Sequence, residues 1–427
     1  MRSLLRALAL LLPAACGSAA RPDPAAAPRG ADIRPGVTVF IRDSLHLVRN
    51  LRIGLITNQT GVDERGRTTI DLLVEAAPRV RAKVVSLLSP EHGIRGTEDR
   101  QFVESGRDGA TGLPVHSLYT SMTIPPPDSL LAEVDVLVVD LFDIGTRTWT
   151  YVGTMLYALR AAGKKGMRII VLDRPNPLNG ARAEGPILDS LIANPEDPAP
   201  GKPGRAYALY PAPLRHGLTM GEMAQWFNAE LALGAELHVI QAEGWRRSMW
   251  WDETPLPWVR PSPNIPSLTA ALLYPSLVAF ESSNVSVGRG TTSAFQRFGA
   301  PWLNADSVAT LLDDRSIPGV RFVADPYTPA NPGDNKFNGQ RIPGVRIDVT
   351  DRDRVQVARV GAAILWALGR VHGDSLRLTP AGFDLRWGAN QDRIALLAGR
   401  DPDEVIDRWL PAIVAWQQRV WPYLLYR

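Results

Sequence analysis

Cysteine is nearly absent from this chain of 427 residues: Cys16 stands alone, so no disulfide can form within it and no cysteine pair is available for redox chemistry. The six histidines show neither HExxH nor any other metal-ligand spacing, so no metal is expected, and nothing else in the sequence calls for a cofactor. Gly163-Lys164-Lys165 reads as a helix terminus and not as a Walker loop. Gly288-Arg289-Gly290 lacks a third glycine and follows no obvious strand, so it is no dinucleotide fingerprint. A GxSxG elbow is missing too, and with it the usual nucleophile of an esterase or amidase. The net charge of +3 is scattered with no basic block, so no nucleic-acid partner is expected.

What is present starts with a leader. Arg2 and Arg6 precede the apolar stretch Ala7 to Leu12 and then Pro13-Ala14-Ala15-Cys16, the pattern of an export signal too short to anchor stably as a span. The mature protein is expected outside the cytoplasm, in the periplasm or cell envelope. Cys16 closes the leader as the lipid-attachment cysteine of a bacterial lipoprotein does, which would give a membrane tether; Pro13 stands where such motifs usually carry Leu, and cleavage at a nearby small residue is the alternative. Residues 17–36, rich in Ala, Pro and Arg, read as a disordered tether.

At 45% hydrophobic and 21% charged residues, the remainder has globular composition and room for two domains, placed at 37–243 and 244–427. Four apolar runs of strand length mark the first: Leu51 to Thr57, Lys83 to Leu88, Val134 to Leu141 and Met167 to Asp173. Between the runs lie helical patterns, as at Thr150 to Ala162 before Gly163, and a helix-strand pair at Thr219 to Leu233 and Glu236 to Ala242 closes the domain. This alternation predicts an α/β fold, a Rossmann-like parallel sheet. From about Trp245 the chain turns Pro- and Trp-rich, then shows a strand at Val345 to Val349 and helices at Arg354 to Val371 and Pro402 to Leu424, the last kinked at Pro411. A smaller α+β domain is expected there. Ala193 to Gly204 carries too many prolines for a helix and reads as a surface excursion.

Each strand of the first domain ends in polar groups, and in a parallel sheet those ends share one edge, where such folds bind ligands. The second strand runs into Ser89-Pro90-Glu91-His92-Gly93-Ile94-Arg95-Gly96, which makes Glu91 the first candidate for a catalytic acid with His92 beside it; a loop salt bridge between Glu91 and Arg95 is the structural alternative. The other ends supply Asn58, Asp140, Asp143, Arg147 and the adjoining Tyr151, Arg174, Asn176 and Asn179 as candidates for binding a hydroxyl-rich ligand. Glu184, in Ala183-Glu184-Gly185-Pro186, offers a second carboxylate of the kind glycoside hydrolysis uses, with Asp140 and Asp143 competing for that role. In the second domain Glu281, Ser283 and Arg289 lie on a small-residue loop able to cradle an anion. Trp245, Trp250, Trp251 and Trp258 are either a stacking face for sugar rings or packing.

The motifs SPEHGIRG, DLFDIGTRTWTYVGT, DRPNPLNG, EGP, LRHGLTMGE, PSPNIPSL and FESSNVSVGRGTTSAFQRFGAPW together resemble the DUF1343 family over nearly the whole chain after residue 36. The resemblance implies a Rossmann-like catalytic domain, a smaller auxiliary domain and a cleft between them. It also implies an exo-β-N-acetylmuramidase, releasing N-acetylmuramic acid from the non-reducing ends of peptidoglycan fragments such as muropeptides or the MurNAc-GlcNAc disaccharide. On that resemblance Glu91 matches the active-site glutamate and Glu184 a second motif carboxylate; Arg147 or Arg289 would meet the lactyl carboxylate. The rival expectations are an exported muropeptide-binding lipoprotein without catalysis, and an amidase or esterase in which His92 pairs with a nucleophile.

Overall fold

The computed structural model describes residues 32–96, 104–120, 124–193, 202 and 204–427. The leader, Cys16, the tether up to residue 31 and most of the Ala193 to Gly204 excursion lie outside the described residues. Among the described residues no helix is long and apolar enough to cross a membrane.

The first part of the chain forms β1 (Arg52–Thr57), β2 (Lys83–Ser89), β3 (Gly106–Arg107), β4 (Pro114–Ser117), β5 (Val136–Asp140), β6 (Arg168–Leu172), β7 (Glu184–Ile187), β8 (Pro213–Arg215) and β9 (Glu236–Ile240). Seven of these make one sheet in the order β3-β4-β2-β1-β5-β6-β9. Its strands pair in parallel except for the short edge strand β3, while β7 and β8 form a separate antiparallel ribbon. The four apolar runs thus become β1, β2, β5 and β6, as an α/β fold requires.

Alternation along these strands feeds two cores. Val136, Val138, Ile170 and Leu172 join one cluster, packed on the helix Thr69–Ala76, while Leu137, Val139, Ile169 and Val171 join the other. That other cluster runs without a break into the second part of the chain, through Leu273, Phe280, Phe298, Ile364 and Trp387. The second part carries β10 (Arg297–Gly299), β11 (Val320–Ala324) and β12 (Gly344–Val349), paired antiparallel in the order β10-β12-β11 and flanked by helices that include Val357–His372, an α+β arrangement.

Two local expectations are corrected. The helix begun at Thr150 runs to Lys165, and the left-handed residue that ends it is Gly166 (φ 60°), not Gly163. Gly163 sits inside the helix because its missing Cβ leaves room for the Leu233 carbonyl. Pro411 kinks nothing: the pattern Pro402 to Leu424 is two helices, Pro402–Asp407 and Leu410–Val420, and Pro411 opens the second, where its missing N–H costs no helical bond.

Candidate active site

After Ser89 the chain leaves the sheet through a tight loop, in which Gly93 N–H bonds to Pro90 O at 3.1 Å and both His92 (φ 68°) and Gly93 (φ 72°) are left-handed. A left-handed His is strained backbone, the kind a fold retains where a neighbouring side chain must be aimed. The loop carries Glu91 to the first turn of the helix Thr150–Lys165, where Thr150 Oγ1 donates to Glu91 Oε2 at 2.6 Å. Tyr119 lines the same site; burial first, then the Glu91 charge nearby, push its pKa well above the ordinary tyrosine value. Arg95 pairs with the buried Asp108, so the Glu91–Arg95 salt bridge does not form.

Glu91 and His92 line a cavity of about 330 Å³. Its other walls bring in Tyr119, Thr150 and Tyr207 from the first part, Ser262 and Asn264 from the linking segment, and Tyr274, Glu281, Arg289 and Arg386 from the second. Glu281 sits between the two guanidiniums, 3.0 Å from Arg289 Nη1 and 3.6 Å from Arg386 Nε. Arg386 also donates to Ser282 Oγ at 2.8 Å and lies 5.2 Å above the Tyr207 ring. Two guanidiniums therefore flank one carboxylate in the same cavity that Glu91 lines. Burial raises the pKa of Tyr207, so it faces the cavity as a neutral hydroxyl.

Of the residues singled out in the sequence, Glu91, His92, Glu281 and Arg289 therefore meet. The others lie elsewhere. Asp140 is fully buried, paired with Arg174 Nε at 2.5 Å and with Thr69, so both Asp140 and Arg174 are spent on joining β5 to the loop after β6. Asp143 accepts from Gly145 N–H at 2.9 Å and lies 3.1 Å from the buried His216 ring. Asn58 accepts from Thr60 at 2.6 Å and Asn179 from Ala181 N–H at 3.1 Å, each within its own loop, while Asn176 donates to Leu218 O in the loop after β8 at 2.9 Å. Tyr151 donates to Pro261 O at 2.6 Å, and Ser283 to Phe280 O at 2.6 Å.

Arg147 is the largest departure. It is fully buried and its two terminal nitrogens donate to the carbonyls of Pro186, Ala212, Arg386 and Trp387 at 2.6 to 3.1 Å. Burial brings its pKa down to about 9, still cationic at neutral pH, and full burial keeps its guanidinium from any ligand carboxylate. Glu184 lines a different cavity, of about 520 Å³. Its oxygens take Arg215 Nη1 at 2.7 Å and the Val357 N–H at 2.8 Å, so it caps the helix Val357–His372 and stands outside the Glu91 cavity. The tryptophans stack on no open face either: Trp245, Trp250 and Trp251 are buried, and Trp251 and Trp258 pack on Phe142.

Tyr119, Thr150, Tyr207, Asn264, Tyr274 and Arg386 escaped the sequence reading. They come singly from distant segments, and only Asn264, in PSPNIPSL, and Thr150, in TRTWTYVGT, fall in motifs already noted. Among the described residues no group of three or more His, Cys, Asp or Glu is placed to hold a metal ion.

Fold and site together define a two-part α/β protein whose polar cleft, at the carboxyl edge of the sheet, is lined by Glu91 and by an arginine pair around Glu281. Two family descriptions match consecutive stretches of it: exo-β-N-acetylmuramidase NamZ, N-terminal, over residues 53–269, and the C-terminal counterpart over residues 272–426. The chain belongs to the NamZ exo-β-N-acetylmuramidase family. It is 35% identical over 396 residues to the peptidoglycan β-N-acetylmuramidase NamZ of Bacillus subtilis strain 168, covering 92% of this chain and 91% of the relative. Crystal structures of two DUF1343 family proteins from Bacteroides fragilis NCTC 9343 are also similar. One has a TM-score of 0.83 at 31% identity, covering 93% of this chain and 100% of that one. The other has a TM-score of 0.70 at 27% identity, covering 93% and 99%.

Proposed function

We propose that this chain is an exo-acting glycoside hydrolase that releases N-acetylmuramic acid from the non-reducing ends of peptidoglycan fragments, with Glu91 as the acid that protonates the departing oxygen. The observation that carries the reading is the placement of Glu91: held by Thr150, it lines a polar cavity that it shares with Arg289 and Arg386. An N-acetylmuramoyl residue has one more feature than its N-acetylglucosamine counterpart, a lactyl group ending in a carboxylate. The guanidiniums of Arg289 and Arg386 in this cavity suit that anion, because a guanidinium meets a carboxylate through paired N–H donors. Tyr207, Tyr274 and Asn264 supply hydroxyl and amide partners for ring hydroxyls. The 2-acetamido group of the sugar is itself able to attack the anomeric carbon, which removes the need for an enzymic nucleophile.

The mature chain is further read as an exported protein of the cell envelope, on the leader and Cys16 alone. The test of the activity is a pair of chromogenic substrates: the β-N-acetylmuramide should be hydrolysed and the matching N-acetylglucosaminide left nearly untouched. Equal rates on the two would overturn the assignment.

A further inference from the structure

The part of the cavity wall that holds Glu281 and Arg289 is carried by a loop that does not hold itself up. The chain from Leu268 runs as a helix to Leu277 and on as a 3-10 turn over Val278–Ser282, and then turns back, so its last carbonyls have no helical donor ahead of them. Lys336 occupies that end. Its Nζ donates to Glu281 O and Val285 O at 3.0 Å and to Phe280 O at 3.3 Å, three carbonyls spanning the stretch that presents Glu281. A cation is the favoured group at such a terminus. The loop bearing Lys336 touches the same segment again further on, where Ala330 N–H bonds to Gly290 O at 2.9 Å, next to Arg289.

The backbone around Lys336 is strained on both sides: Asn335 and Phe337 each sit at φ 56°. Asn tolerates that conformation, but a bulky aromatic residue there is an outlier, and such outliers persist where the surroundings fix them for a purpose. The ammonium is mostly buried, with Asp334 3.8 Å away, so its placement costs desolvation as well.

We infer that Lys336 is a positioning residue: its ammonium fixes the turn Phe280 to Val285, and through it sets Glu281 and the flanking guanidiniums at the distance at which a ligand carboxylate is received. This rests on the proposed function, because it assigns Lys336 to the carboxylate-selecting wall of that site. Lys336 is not among the residues that line the cavity, so its loss acts on recognition and not on proton transfer.

The test compares the full chain with its Lys336→Met and Lys336→Gln variants on chromogenic β-N-acetylmuramide, with free N-acetylmuramic acid titrated by calorimetry. Lys336→Met should raise KM about tenfold and weaken N-acetylmuramic acid binding in proportion, while kcat stays within about twofold. Lys336→Gln, whose amide still donates to carbonyls, should lie between it and the parent, and decides the matter alone if the Met variant does not fold. A folded variant with parental KM and binding, or a fall in kcat with KM unchanged, overturns the inference. A parent protein that binds N-acetylmuramic acid but hydrolyses nothing would instead overturn the proposed function, and the binding titrations would still decide on Lys336.

Discussion

Glu91 and the asparagine-, aspartate- and arginine-bearing strand ends looked alike as sequence, and the fold separates them. Asp140, Asp143, Arg174, Asn58, Asn176 and Asn179 are all polar residues at the carboxyl edge, yet each is consumed by a neighbour in its own or the adjoining loop. Sequence shows that a group is polar and where its strand ends, but not whether a partner from another loop reaches it first. Glu91 differs because its loop is turned outward by two successive left-handed residues, which the pattern His92-Gly93 only hinted at. Replacing Glu91 by Gln keeps the shape and the bond from Thr150 but removes the proton to be delivered, so turnover on a poor leaving group should fall by about 10²-fold or more with melting temperature unchanged. Activated leaving groups should lose less. Near-parental turnover on natural substrate would make Glu91 structural. Arg386→Ala should act on selection instead, raising KM for the muramide about tenfold and leaving the N-acetylglucosaminide rate alone; an unchanged preference would move the carboxylate site to Arg289 alone.

At the scale of elements, β1, β2, β5 and β6 were legible because each is a short apolar run bounded by polar residues; the helix expected over Thr219 to Leu233 forms as Met220–Glu230, opened by a capping box of Thr219 and Glu222. The ribbon of β7 and β8 was not legible, since Glu184–Ile187 and Pro213–Arg215 are too short to show a period. That ribbon explains Glu184: its bonds to Arg215 and the Val357 N–H tie it to the auxiliary helix, so Glu184→Ala should cost on the order of 3 kcal/mol in chemical denaturation, the penalty for stranding a buried arginine. A second latch closes the sheet end: Asp173 accepts from Tyr426 Oη and Thr219 Oγ1 at 2.7 Å and from Gly221 N–H at 2.7 Å, bringing the last residues of the chain onto the end of β6. Burial outweighs these bonds and raises the Asp173 pKa to about 6. The folded state therefore holds this proton more tightly than the unfolded chain between about pH 4 and 6, so the contribution of Asp173 is fully present below that window and is lost as pH rises through it, on the order of 3 kcal/mol in all. Asp173→Asn should flatten that part of the stability profile. An identical slope in the variant would show that Asp173 titrates normally.

For the molecule as a whole, the α/β class and the smaller α+β partner followed from the order of the periodic segments, while the sharing of one core between them did not. The cluster that joins Val139 to Ile364 and Trp387 is a matter of packing across hundreds of residues, and so is the cavity that Arg386 completes. Arg147 belongs to the same level: a residue read as a ligand contact is a buried strut whose four carbonyl partners come from β7, the segment before β8 and the helix Pro380–Trp387. It fixes one wall of the cleft relative to the other, and only the assembled fold reveals it. The most direct measurement on the assembled protein is incubation with the defined disaccharide of N-acetylmuramic acid linked β to N-acetylglucosamine, followed by mass detection. Release of both free sugars is expected, and its loss in Glu91→Gln; tight binding of the disaccharide with no cleavage would contradict it and leave a binding protein in place of the enzyme.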